Sequence, residues 1–186
     1  MKIFIDGEYG TAGLCLKEKL LQLQNLIPFD FISISNTKSE IERYQAIKEA
    51  DIAILCLPED ISFKTCEDLK EIDTIIIDAS TIHRTLPGWT YGFEELNQNQ
   101  MNVIKNSKRI ANPGCFATGM MAILNPIKDY LNQDMPLIIQ GVTGYSAGGK
   151  KTIQKQIESP IHFRSTNLNR EHIHLVEIKH WLNIKN

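Results

Sequence analysis

Lys2-Ile3-Phe4-Ile5-Asp6-Gly7-Glu8-Tyr9-Gly10-Thr11-Ala12-Gly13 is the stretch that decides the fold. A short apolar strand runs straight into a glycine-rich turn. A helical pattern follows, with Leu16, Leu20 and Leu23 at i, i+4 and i+7 on one face. Strand, glycine turn and helix in that order are the context that gives a dinucleotide fingerprint its meaning. The spacing is Gly7-x-x-Gly10-x-x-Gly13 rather than G-x-G-x-x-G. Each glycine still has a physical use: a tight turn, a close approach of backbone to pyrophosphate, and tight helix–strand packing. A glycine triplet alone also fits a plain strand-to-helix turn, so the flanking elements carry the reading. Gly7, Tyr9, Gly10, Thr11, Ala12 and Gly13 are the expected cofactor contacts in this turn.

Further strands follow at the spacing of alternating strand and helix. Phe29–Ser35 is the second, Asp51–Pro58 the third and Thr74–Ser80 the fourth, with helical stretches over Ser39–Ala50 and near Ser62–Lys70 between them. The last two strands are nearly continuous apolar runs, as strands covered on both faces must be. The pattern predicts a doubly wound parallel sheet of Rossmann type. Leu57, Pro58 and Ser80, at the ends of the third and fourth strands, join the candidate cofactor contacts. The tip of the second strand bears on cofactor choice. An NAD site usually offers a carboxylate there for the ribose 2′-OH. This chain has Ser35-Asn36-Thr37-Lys38, with no carboxylate before Glu40. Polar groups and one cation suit a 2′-phosphate, so NADP is the expected cofactor, with Ser35, Asn36 and Lys38 as its contacts; a merely solvated loop would have a similar composition.

The 186 residues are 42% hydrophobic and 23% charged, ordinary for a globular chain of one to one and a half domains. The net charge of −2 supplies no basic field to recruit nucleic acid or an anionic membrane. No apolar run approaches a membrane span, and Met1–Asp6 reaches a carboxylate too early for a signal peptide. Four cysteines, Cys15, Cys56, Cys66 and Cys115, show no close metal-ligand spacing, and a chain this large needs no disulfide framework. Reduced thiols in a cytoplasm fit best. Cys15 and Cys56 sit in apolar patterns and are expected in the core.

Cys115 is different. Asn112-Pro113-Gly114-Cys115-Phe116-Ala117-Thr118-Gly119 places it after a Pro-Gly turn, and the small and apolar run through Leu124 reads as the start of a helix. Aligned N–H groups and the positive end of the helix dipole favour thiolate over thiol there. A free cysteine is more often simply buried. The short strand Arg109-Ile110-Ala111 leads into this turn, and α/β sheets bind ligands at such carboxyl ends. Downstream, Pro136–Thr143 reads as another strand and runs into the small-residue loop Gly144–Lys151. Small residues beside two lysines can cradle an anion, although the same loop could be plain surface. Asn169–Ile178 then brings His172, His174 and Glu177 close together. The two histidines point the same way if the segment is extended; His174 and Glu177 share a face if it is helical. A third metal ligand is missing, so no metal site is expected. A histidine general base serving a cysteine nucleophile is the sharper reading.

Asp6–Gly13, Tyr91-Gly92-Phe93-Glu94-Glu95-Leu96, Asn112–Thr118 and His172-Ile173-His174-Leu175-Val176-Glu177-Ile178 resemble N-acetyl-γ-glutamyl-phosphate reductase, and most of all its shorter, type 2 form. The motifs occur in family order and cover nearly the whole chain. The resemblance implies NADPH-dependent reduction of N-acetyl-L-glutamyl 5-phosphate to the 5-semialdehyde, with release of phosphate, in arginine biosynthesis. It implies that Cys115 is the nucleophile that forms a thioester, and that His174, with His172 as the rival, is the acid/base. Asn112, Gly144, Ser146, Lys150 and Glu177 become candidate substrate contacts, Lys150 for the phosphate. The implied division is a dinucleotide domain over 1–112 and the first part of an α+β catalytic domain over 113–186. Full-length relatives are expected to be homo-oligomers, with no nucleic-acid or membrane partner.

There are departures. The family usually has proline where Val176 stands, and its replacement is expected to loosen the turn that orients the histidine. Family members are also considerably longer. An incomplete catalytic domain would leave an open sheet edge and an uncovered apolar face, so the 186-residue chain is expected to be poorly stable alone. An aspartate-semialdehyde-dehydrogenase-like enzyme, or an inactive NADP-binding fragment, is the alternative reading.

Overall fold

The computed structural model describes residues 1–132, 134–163 and 172–184, without the side chain of Lys150. The chain divides into two compact units, Met1–Pro113 and Gly114–Asn186.

In the first unit, β1 (Lys2–Asp6), β2 (Asp30–Ile32), β3 (Ile52–Leu55), β4 (Ile75–Asp78), β5 (Thr90–Tyr91) and β6 (Arg109–Ala111) form one sheet in the order β2-β1-β3-β4-β6-β5. Every pairing is parallel. Strand side chains alternate between faces, and β1 shows where each face goes. Phe4 packs with Ala46, Ile47 and Ala50 from α2 (Glu40–Glu49) and its C-cap, and with Cys66 from α3 (Glu59–Asp68). Ile3 and Ile5 pack on the other side with Leu16 and Leu20 of α1 (Thr11–Leu23). A helix layer on each face explains the unbroken apolar character of β3 and β4. Each fully buried aliphatic side chain here contributes about 1.5–3 kcal/mol relative to exposure. Order reverses between β1 and β3, because β1 is flanked by β2 on one side and β3 on the other. That is the switch point at which such sheets open a ligand crevice. Register aligns Asp6, Leu55, Asp78 and Ala111 in one row along the carboxyl edge.

Two elements in this unit were not read from the sequence. The two-residue β5 adds a parallel edge beside β6, and the polar stretch after Leu96 contains a helix, α4 (Gln100–Lys105). Gln100, buried, ties them together by donating from Nε2 to the Tyr91 carbonyl at 2.6 Å.

The regular elements among the described residues of the second unit are all helical. They comprise α5 (Cys115–Leu124), α6 (Gly149–Glu158) and α7 (Ile173–Leu182), with 3-10 turns over Asn125–Tyr130 and Tyr145–Gly148. α5 and α7 pack together through buried Ala117, Met121, Leu124, Ile178 and Leu182. The expected strand over Pro136–Thr143 is not a strand; the segment is irregular and mostly exposed. A strand needs a neighbour to pair its backbone, and no other strand occurs among the described residues of this unit. Cys15 also departs from expectation: it lies on the exposed side of α1, while Cys56 is half-buried.

Candidate active site

The β1–α1 turn is built for a closely approaching backbone or anion. Gly7 has φ +87, and a Cβ there would run into the Cys56 carbonyl oxygen across the switch point. A Cβ at Gly13 would run into the Gly7 carbonyl oxygen and come within 2.7 Å of the Glu8 Cα. The start of α1 is thus pressed against the turn that precedes it. Gly10 is its N-cap, and the first intrahelical bond runs from Leu14 N to Gly10 O at 2.9 Å. The N–H groups of Thr11, Ala12 and Gly13 precede that bond and are the orphan donors of a helix start. Tyr9, Gly10, Thr11 and Ala12 are exposed around them. This arrangement fits a pyrophosphate. Glu8 is drawn off the turn by Lys17 of α1.

The other candidate contacts of this unit differ in kind. Leu57 and Pro58 follow β3, Pro58 being the N-cap of α3. Ser80 is buried and its hydroxyl donates to Asp78. Ser35, Asn36 and Lys38 are exposed after β2. Asn36 Oδ1 accepts from Lys38 N at 3.0 Å. An unanticipated group is already in that loop: one oxygen of Glu42, Oε2, accepts from Ser35 N at 3.0 Å, Ser35 Oγ at 2.8 Å and Asn36 N at 3.1 Å. The Ser35 hydroxyl and the Asn36 N–H hold its carboxyl below the ordinary glutamate range. Ser39-x-x-Glu42 is a capping-box pattern, and the Ser39 hydroxyl does accept from Glu42 N at 3.3 Å. That pattern is enough to put Glu42 at the third helical position, but not to put its side chain on Ser35.

Two buried carboxylates stand in the row at the carboxyl edge. Asp6 accepts from Arg43 Nε at 2.7 Å, and Arg43 reaches on to Thr65 Oγ1 at 3.1 Å. Burial pushes the Asp6 carboxyl up, and Arg43 only partly offsets this. Asp78, fully buried, meets Ser62 Oγ and His83 Nδ1, each at 2.6 Å. Burial alone would raise its carboxyl, but the bonds from His83, Ser62 and Ser80 outweigh it and hold Asp78 below the usual range. His83 is stacked against Trp89 with ring centroids 3.9 Å apart and lies nearly parallel to Phe63 at 6.1 Å. Asn112 is the penultimate residue of this unit: its N–H donates to the Asp78 carbonyl at 2.7 Å, and its own carbonyl accepts from Arg84 Nε at 3.0 Å.

In the second unit, Cys115 is exposed at the first position of α5, with Gly114 as N-cap. The N–H groups of Cys115, Phe116 and Ala117 precede the first intrahelical bond, Thr118 N to Gly114 O at 2.8 Å. The Gly114 N–H itself is taken, because it donates to Glu177 Oε2 at 2.9 Å. His174 and Glu177 are both buried on one face of α7, Nε2 to Oε1 at 3.9 Å. A Cβ on Gly114 would strike His174 Nε2 and stand 2.6 Å from Glu177 Oε1. Glycine before the cysteine therefore has a packing cause: it is where the His–Glu pair comes against the α5 backbone.

The structure separates the two histidines. His172 is the N-cap of α7, and its Nδ1 accepts from His174 N at 3.1 Å. Accepting from a backbone N–H requires that nitrogen to be unprotonated. His174 lies within the helix beside Gly114 and Glu177. Phe116 packs against both rings, at 5.8 and 6.1 Å between centroids, and the rings are 4.6 Å apart. Val176 is exposed in the first turn of α7, which is regular there, with Leu175 N donating to His172 O at 2.9 Å. Gly144 and Ser146 lie exposed around the 3-10 turn before α6. Lys150 belongs to α6, and its side chain lies outside the described residues.

Residues 18–104 match the family model of the semialdehyde dehydrogenase NAD-binding domain, and residues 115–186 match that of the semialdehyde dehydrogenase dimerisation domain. The chain belongs to the semialdehyde dehydrogenase family, and a nicotinamide dinucleotide is the cofactor its first unit is built for. Among the curated proteins it is similar to N-acetyl-γ-glutamyl-phosphate reductases. That of Mesorhizobium japonicum is 38% identical, with 96% of this chain and 59% of the relative covered. That of Trichormus variabilis is 42% identical over 83% of this chain and 48% of the relative. The chain therefore spans about half to three-fifths of these relatives' length. Among solved structures, an aspartate semialdehyde dehydrogenase II from Vibrio cholerae matches with a TM-score of 0.68. That match has 17% identity and covers 98% of this chain and 66% of that one, a likeness of fold. No helix among the described residues is long and apolar enough to cross a membrane.

Proposed function

We propose that this chain carries the cofactor unit and the nucleophile of an N-acetyl-γ-glutamyl-phosphate reductase, an oxidoreductase of arginine biosynthesis acting in the cytoplasm. Residues 1–112 would hold NADP and residues 113–186 would be the first part of the catalytic domain. The observation that carries this reading is the junction at Gly114, where His174 and Glu177 come against the residue preceding Cys115.

The Cys115 thiolate attacks the carbonyl carbon of the acyl phosphate. The C=O π electrons move onto oxygen, and the N–H groups of Cys115, Phe116 and Ala117 are the donors available to that oxyanion. Collapse breaks the carbon–oxygen bond to phosphate, expels inorganic phosphate and leaves an acyl thioester on Sγ. A reduced nicotinamide dinucleotide held at the Gly7–Gly13 turn would supply the hydride equivalent needed to take the thioester to a thiohemiacetal. His174 provides the proton traffic: it takes the thiol proton at the start and manages the hydroxyl proton as the C–S bond breaks, releasing aldehyde and thiolate. Glu177 orients His174 and anchors Gly114. His172 caps the helix. Asn112, Gly144, Ser146 and Lys150 remain the candidate substrate contacts. Gly7, Gly10, Thr11, Ala12 and Gly13 would hold the pyrophosphate of the cofactor. The donors of Ser35 and Asn36, with Lys38 beside them, would hold the 2′-phosphate, since they already hold a carboxylate. The match to a dimerisation domain supports a homo-oligomer.

The test is phosphate-dependent reduction of NADP with N-acetylglutamate semialdehyde or aspartate semialdehyde as substrate, on wild type and Cys115→Ser. Activity with the N-acetylated substrate, reduced by at least about 10⁴-fold in the variant with dinucleotide binding unchanged, is expected. Equal activity of the two proteins would end the cysteine mechanism. Preference for aspartate semialdehyde would replace the substrate. Absent activity in both with dinucleotide still bound would make the chain a binding fragment.

A further inference from the structure

The loop after β2 holds an anion of the protein's own making. Three donors, Ser35 N, Ser35 Oγ and Asn36 N, converge on one carboxylate oxygen of Glu42 at 2.8–3.1 Å. Nothing about helix formation asks for this. Glu42 sits three residues after the Ser39 N-cap, where a capping-box glutamate would reach back to the N–H of that cap. It reaches past Ser39 to Ser35 and Asn36 instead. All three donors lie at the tip of the second strand of a dinucleotide fold, where the adenosine ribose and any group on its 2′ oxygen are read. Ser35, Asn36 and Lys38 are exposed, so the cradle opens to solvent.

We propose that Glu42 is a specificity-determining residue whose carboxylate stands in the 2′-phosphate cradle as an internal competitor, so that a 2′-phosphorylated dinucleotide binds only by displacing it. The inference rests on the reading of the first unit as a nicotinamide-dinucleotide domain.

The physical case has two halves. The cradle is demonstrably suited to an oxyanion, since it binds one through charge-assisted bonds. A carboxylate and a phosphate cannot share it, because two anions a few ångströms apart repel and the three donors serve one oxygen at a time. The unphosphorylated cofactor meets a different situation. Its 2′ hydroxyl is a donor and can bond to Glu42 where it stands, as acidic groups do at NAD sites. Glu42 thus penalises the 2′-phosphate and leaves the 2′-hydroxyl alone. The Glu42 carboxyl is held below its ordinary range, so the competitor is charged at neutral pH. Glu42 lies in the first turn of α2, and the loop residues that hold its carboxylate, Ser35 and Asn36, are exposed.

The experiment measures binding of NADP and NAD by calorimetry or by quenching of protein fluorescence. It uses wild type, Glu42→Gln and Glu42→Ala, with 2′,5′-ADP and 5′-AMP as probes of the adenosine half alone. The expected result is a gain of about tenfold or more in affinity for NADP and 2′,5′-ADP in both variants. Affinity for NAD and 5′-AMP should stay within about threefold or fall. Glu42→Gln preserves the shape and an accepting oxygen, so it separates charge from loop structure. Parallel losses for phosphorylated and unphosphorylated ligands in both variants would mean that Glu42 only shapes the loop, and the proposal fails. Unchanged NADP affinity with NAD still bound also overturns it. If no variant and no wild-type protein binds any of the four ligands, the dinucleotide reading of the first unit has failed, and the inference falls with it.

Discussion

Two histidines two residues apart take separate places because one lies outside a helix and the other inside it. His172 turns its Nδ1 onto the N–H of His174 and closes the start of α7. His174 is carried round to the face that meets Gly114, beside Glu177. Capping and proton transfer place different demands on an imidazole, so substitution should separate them. In the reaction proposed above, His174→Asn should lower kcat by about 10²–10⁴-fold with little change in melting temperature. His172→Ala should lower stability by about 1 kcal/mol, as loss of a cap does, and change kcat less than about tenfold. Steady-state kinetics with thermal melts on the two variants decides this, and a larger kcat loss for His172→Ala would reverse the assignment. The motif was legible in the sequence as two alternatives, extended or helical. It could not be resolved there, because the choice depends on whether α7 begins at Ile173. Gly114 was legible only as a turn residue. That its missing Cβ makes room for His174 is a long-range fact, sixty residues away in the chain, invisible to any local pattern.

At the scale of elements, β1 and α1 are joined by a turn that tolerates no added carbon at two places. Replacing Gly13 by alanine would normally favour a helix. Here the new Cβ meets the Gly7 carbonyl and the Glu8 Cα, both backbone, so neither can swing aside. Gly13→Ala should therefore destabilise the first unit by about 1–3 kcal/mol, as overpacking does, and weaken dinucleotide binding by pushing the start of α1 off the turn. Chemical denaturation with a binding titration reads both effects, and a stabilised variant would show that the contact relaxes freely. The strands of this unit were legible because each is a local apolar run bounded by turn signals. β5 was missed, since two residues carry no periodicity and the pairing to β6 alone defines them. Pro136–Thr143 failed in the opposite direction: its residues have strand character, but strand character is not a strand without a partner. Arg109 is a further element-scale device that pattern reading passed over. Its guanidinium donates to the carbonyls of Leu69, Lys70, Ile72 and Thr74, tying the end of α3 and the approach to β4 onto β6.

For the molecule as a whole, the acid response of the first unit turns on Asp78. Its carboxyl is lower when folded than when unfolded, so its ionised form stabilises the fold. That contribution is complete well above the unfolded value of about 3.9. It is lost as pH falls through that value toward the lower folded one. Asp6 works against this trend, since burial raises its carboxyl and its ionised form costs stability rather than adding to it. At pH 6, Asp78→Asn should cost about 3 kcal/mol by leaving His83, Ser62 and Ser80 without their anion. The gap between variant and wild type should narrow by pH 3. A difference that stays constant between pH 6 and 3, measured as urea midpoints, would mean the Asp78 charge is not what matters. The stacked His83–Trp89 pair makes this measurable in an unexpected way. The chain has two tryptophans, and the division into units gives one to each: Trp89 in the first and Trp181, beside His180, in the second. The protein thus carries a separate optical label in each half. A Trp181→Phe chain would emit from the nucleotide unit alone and a Trp89→Phe chain from the cysteine unit alone. With this pair, ordinary fluorescence can tell whether the halves melt together or one after the other.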